Sequence, residues 1–126
     1  MVSSQTVLKK NFTTLTRDLS VFLHNDAEFR SLHPSADFDV KVKKGLTGLA
    51  LDIRSKKPGI EHTVEEESII SSTLHKDTLK VQVTDKKHKH IEFEKLLKPP
   101  YHYAHVRNQL CAALHAGAHM YKQRQT

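Results

Sequence analysis

The segment YHYAHVRNQLCAALHAGAHMYK, residues 101–122, decides the fold. At 100° per residue Tyr103, Val106, Leu110, Ala113, Leu114, Gly117 and Tyr121 fall on one stripe, which predicts an amphipathic helix laid over an apolar surface. His105, Asn108, Ala112, His115, His119 and Lys122 form its back, with Cys111 on the flank. A glycine costs about 1 kcal/mol in a helix interior. Gly117 in the middle of the packing stripe therefore predicts a close approach to the helix backbone. Pro99 and Pro100 stand just ahead of the helix, where the missing amide hydrogen matters least.

What the helix covers is read from the segment before it. Ile91 and Phe93 alternate with His90, Glu92 and Glu94, and Leu79, Val81 and Val83 alternate with Lys80 and Gln82. This period of two marks strands with one buried face. Residues 85–89 supply the turn between them. Further back, Phe38, Val40 and Val42 alternate with Asp39, Lys41 and Lys43, and Leu49, Leu51 and Ile53 alternate with Ala50, Asp52 and Arg54. The two runs read as an antiparallel hairpin turning at Lys44 and Gly45, with Gly48 as a bulge and Pro58 and Gly59 as its end. Between the pairs the pattern is faint, and two short strands are expected, around Ile60–Val64 and Ile69–Leu74.

At the start of the chain, Ser3, Ser4 and Thr6 offer N-caps to a helix whose apolar positions are Leu8, Phe12, Leu15, Leu19 and Phe22. Asp26 caps a short turn through Leu32, and Pro34 stops it. Two one-sided helices and an antiparallel sheet with one apolar face have one economical arrangement, with both helices on the same face of the sheet. The expected fold is α+β, a two-layer sandwich of about four to six strands with N- and C-terminal helices packed on one face. A chain of 126 residues is expected to be a single domain, 1–126.

The composition sets the class of partner. There are 20 Lys and Arg against 14 Asp and Glu, a net charge of +6 with neutral histidines. Ten basic and seven acidic residues precede residue 64 and the same numbers follow, so the excess belongs to the whole chain and not to a tail. With no long apolar segment and a single cysteine, a reducing compartment, cytoplasmic or nuclear, is expected, with no membrane partner. The first 17 residues lack acids and hold Lys9, Lys10 and Arg17. Their likeness to a transit peptide is mild, and they are read as helix.

The sheet face turned away from the helices would carry Lys41, Lys43, Arg54, Lys80, Gln82, His90 and Glu92, next to a turn holding Lys86, Lys87 and Lys89. Lys41, Lys43, Arg54, Lys80, Lys86, Lys87, Lys89 and His90 are accordingly the candidate nucleic-acid-binding residues, touching RNA or DNA backbone rather than bases. Base stacking needs exposed aromatics among the cations, and nearly every Phe falls on an inward position. The rival expectation is a protein-interaction or assembly subunit, or a homodimer, that uses an unpaired sheet edge or the helix back.

Catalytic readings lack their motifs. His90 and Glu92 resemble a fragment of a deaminase signature without its paired cysteines, and no glycine-rich phosphate loop or nucleophile elbow is present. Cys111, His115 and His119 are spaced four apart, so neighbours could share a metal, yet Ala116 stands where a zinc protease needs glutamate. No catalytic residue, metal site or cofactor is expected, and the helix-back histidines are expected to line a solvated face.

Overall fold

The computed structural model of the chain describes residues 3–32, 37–44, 48–58, 64–85 and 89–125. Its elements run α1 (Ser4–Lys10), α2 (Phe12–Asn25), α3 (Ala27–Leu32), β1 (Asp37–Lys44), β2 (Leu49–Pro58), β3 (Val64–His75), β4 (Thr78–Asp85), β5 (His90–Leu96) and α4 (Tyr103–Gln125). The strands form one five-stranded antiparallel sheet in chain order, β1 to β5. The helices cover one of its faces, as the paired apolar stripes require. A core of Leu8, Leu15, Leu19, Leu23 and Phe29 meets Leu51, Ile53, Ile70, Val81 and Val83 from the sheet and Val106, Leu110 and Leu114 from α4.

The packing stripe of α4 is the expected one. Val106, Leu110, Ala113, Leu114, Gly117, Ala118 and Tyr121 are buried, and Tyr103 is half-buried. A Cβ on Gly117 would lie 2.7 Å from Cε1 of Phe93 and 3.2 Å from Cγ1 of Val81, so the sheet does press on the helix backbone there.

The N-terminal helix differs from its expectation in being two helices. Ser3 caps α1 by accepting from the amide of Thr6. At Asn11 the amide bonds back to the carbonyl of Leu8, three residues away, and the side chain donates to the carbonyl of Val7. An asparagine that takes a backbone acceptor competes with helical bonding, so the helix turns a corner here. The break redistributes the apolar stripe: Leu8, Leu15 and Leu19 are buried as expected, Phe12 and Phe22 only half, and Leu23 reaches the core instead. Asp26 caps α3 through the amide of Phe29, whose ring meets Phe38 of β1 edge-on at 5.8 Å.

Two strand expectations are corrected. In place of two short strands there is one long one, β3, with Ile60 outside the described residues. It is the central strand, hydrogen-bonded on both sides, and the register sets Glu66 and Glu65 opposite Lys56 and Lys57. Backbone pairing to β2 and β4 on its two sides thus supports a stretch whose propensity is poor. The alternation was faint because Ser72 takes an inward, buried position between Leu51 and Val81. Gly48, in turn, forms no bulge. It sits ahead of β2, where a Cβ would lie 2.5 Å from the carbonyl oxygen of Leu74, and the register shift falls between Ser55 and Lys56 instead.

Candidate functional site

The pairing register puts Lys41, Lys43, Arg54, Lys80 and His90 on the face opposite the helices, together with Gln82 and Glu92. Lys89 is exposed just before β5, and Lys86 and Lys87 lie outside the described residues. The face does not gather these cations into one cluster. Lys41 and Lys43 stand on the first strand and His90 on the fifth, four strand spacings or about 19 Å apart. Carboxylates are interleaved between them: Arg54 pairs with Asp52 at 3.5 Å and Lys80 with Glu92 at 3.7 Å. Across strands, Lys41 faces Asp52, Asp39 faces Arg54 and Lys80 faces Glu94.

The cations gather instead at one end of the sheet. The last full row across the open face runs Lys43, Ala50, Thr73, Lys80, Glu94. Beyond it stand Lys44, His75, Lys76, Lys95 and Lys98, with Asp77 the carboxylate in the β3–β4 turn. α1 crosses this end. The Ser4 hydroxyl donates to Asp77 Oδ1 at 2.6 Å, the Gln5 side chain accepts from the amide of Lys76, and the Lys44 ammonium lies 4.9 Å from the ring centre of Phe12, just past the C-terminus of α1. Lys9 and Lys10 are therefore carried into the same region. Between β1, β2 and β3 this end holds an open groove of ≈ 420 Å³ lined by Lys43, Lys44, Gly48, Leu49, Ala50, Thr73, Leu74 and His75.

Sequence reading missed this end because its cations come from distant parts of the chain. Lys9 and Lys10 read as part of a helix and Lys44 as part of a turn. Two signals were available, the acid-free first 17 residues and the sparse acids of residues 68–91.

On the helix side, several polar groups are paired. Tyr103 donates to Asp18 Oδ2 at 2.7 Å, and Arg107 reaches the same oxygen at 3.3 Å. The Tyr103 hydrogen bond, joined by Arg107, holds the Asp18 carboxyl below the usual aspartate value against the opposing effect of burial. Burial, and then the carboxylate beside it, raise the Tyr103 hydroxyl. Burial pushes the Cys111 thiol up to about 11, so at neutral pH it is protonated and a poor nucleophile. His115 and His119 of α4 are exposed, as expected, and each also has a carboxylate neighbour: His115 Nδ1 lies 2.7 Å from Asp26 Oδ1 and His119 Nδ1 lies 3.3 Å from Glu28 Oε2. Cys111 does not join them. Among the described residues, no three His, Cys, Asp or Glu side chains are arranged to hold a metal ion, and no helix is long and apolar enough to cross a membrane.

Comparison with protein-family models, with curated proteins and with solved structures finds no match to this chain.

Proposed function

We propose that this protein is a non-catalytic binding module for polyanions, with the backbone of RNA or DNA as its ligand class, and that it works inside the cell. The observation that carries the reading is the segregation of charge: Lys9, Lys10, Lys44, Lys76, Lys95 and Lys98 share one end of the sheet with a carboxylate that is already engaged by Ser4. Lys43 continues the patch onto the open face. A cationic strip about 19 Å wide is long enough to meet several phosphates of a nucleic-acid backbone. Contact through lysines favours phosphates over bases, since an ammonium is a point charge without the planar fork that reads base edges. On the open face, the other sequence-derived candidates, Lys41, Arg54, Lys80 and His90, lie beside carboxylates and contribute less.

The test is a salt titration of binding to short single- and double-stranded RNA and DNA, followed by fluorescence anisotropy. Each neutralised phosphate contributes about 0.9 to the log–log slope on duplex. Lys43→Gln, Lys76→Gln and Lys95→Gln should each lower the slope by roughly one, whereas Lys80→Gln, next to Glu92, should lower it less. No binding near physiological salt, or equal effects from all four substitutions, would remove the basis for this reading.

A further inference from the structure

The two edges of the sheet differ in one respect. β1 reads DFDVKVKK over Asp37–Lys44, acidic in its first half and basic in its second. β5 reads HIEFEKL, with Glu92 and Glu94 at its centre. Among the described residues no strand pairs with the outer side of either one.

We propose that β1 is the contact between two copies of this chain, which pair antiparallel about a two-fold axis at Val40 to make one continuous ten-stranded sheet. Only a register that matches open face to open face is allowed, since a one-residue slip turns every side chain over. With Val40 opposite Val40 of the second copy, Asp39 meets Lys41, Asp37 meets Lys43 and Phe38 meets Val42. The existing β1–β2 pairing extends this pattern, because Arg54 already faces Asp39 and Lys41 already faces Asp52. The row across the junction then reads Arg54, Asp39, Lys41 and Asp52, with alternating sign, the last two from the second copy. Beneath it, Ile53 and Val40 of each copy form an apolar row. Shifting by two residues sets Lys41 against Lys41 or Asp39 against Asp39, so charge selects one register.

The surroundings of β1 suit the same occupant. A groove of ≈ 510 Å³ runs between α2 and β1, with Phe12 and Val21 among its apolar groups and Thr16 and Ser20 beside them. Val21 is 58% exposed, one of few large apolar side chains left in solvent among the described residues. A two-fold axis normal to the sheet keeps both helical layers on one side and turns the two α2 faces toward each other over the new strand pair. The other edge rejects this arrangement. Any antiparallel self-pairing that overlaps most of β5 opposes Glu92 to Glu92, Glu92 to Glu94 or Glu94 to Glu94. A closed dimer through β1, rather than a fibre, is the result.

This inference does not depend on the polyanion reading, and its test contains no nucleic acid. Light scattering after size exclusion should give a dimer for the natural chain. Asp39→Lys and Lys41→Asp should each be monomeric, since each opposes like charges twice across the axis. Mixed in equal amounts the two variants should form a heterodimer, because the lysine introduced at position 39 of one then meets the aspartate introduced at position 41 of the other. Each substitution also faces a like charge on β2, so circular dichroism must show both variants folded. Should either fail, hydrogen exchange of the natural chain at high and low concentration decides, with β1 amides protected on association and β5 amides unchanged. A natural chain that stays monomeric up to its solubility limit, variants that remain dimeric, protection at β5, or growth beyond a dimer would each overturn the proposal.

Discussion

Tyr103, Asp18 and Arg107 show how one residue's environment becomes a pH dependence. The folded Asp18 titrates below an unfolded aspartate, so its pairing adds stability that is present above about pH 4 and is lost as the pH falls through the lower folded value. Tyr103 has the opposite sign. Its raised folded value gives stability that is full below about pH 10 and lost as the pH climbs through that value. Tyr103→Phe should move the Asp18 titration up toward the ordinary range, seen by carboxyl NMR, and should flatten the alkaline decline in stability. At Gly117 the argument is steric. Gly117→Val would press a branched side chain onto Phe93 and Val81 and should cost about 1–3 kcal/mol in urea denaturation, despite valine's better helix propensity. The sequence showed this residue clearly, because a glycine set in a buried stripe implies that a neighbour needs the space. It held no hint of the Asp18 cluster, whose members are 85 and 89 residues apart.

Among the elements, the short helix α3 depends most on a single side chain. Asp26 caps it through the amide of Phe29 with one oxygen and meets His115 of α4 with the other, so one carboxylate ties the α2–α3 corner to the C-terminal helix. Losing a cap costs about 1 kcal/mol and losing a hydrogen bond about as much. Asp26→Ala should therefore destabilise by about 2 kcal/mol in denaturant melts, and Asp26→Asn, which retains a side-chain acceptor in neutral form, by less. A double-mutant cycle with His115→Ala would isolate the link between the helices. The cap itself was legible from the sequence, as was the alternation of β1, β2, β4 and β5. The break at Asn11 was not, since an apolar stripe spaced four and three apart says nothing about a corner. Nor was the unity of β3, where hydrogen bonds from two neighbouring strands outweigh a local sequence with little strand character.

Across the whole molecule, the distribution of charge matters more than its total. The two halves of the chain carry identical formal charge, yet the fold collects lysines from α1, β1, the β3–β4 turn and the segment after β5 at one end of the sheet. A polyanion that binds there stabilises the native state in proportion to its occupancy, by about 2.7 kcal/mol at a hundred times its dissociation constant. Short duplex RNA should then raise the melting temperature at low salt, and the rise should shrink as salt is added, because screening and counterion release both oppose binding. A melting temperature unmoved by duplex at low salt would argue against binding at that end.

The sequence by itself determined the class of fold. Periods of 3.6 and 2 specify which face of each helix and strand must be buried, and one-sided elements have few ways to bury those faces together. It also determined that this chain as a whole is cationic. The tertiary structure alone decided where those cations stand, which carboxylates meet the histidines of α4, and which two strands form the edges of the sheet. Each of these depends on register and on contacts between residues far apart in the chain. A periodicity read along one segment carries no information about which other segment lies beside it.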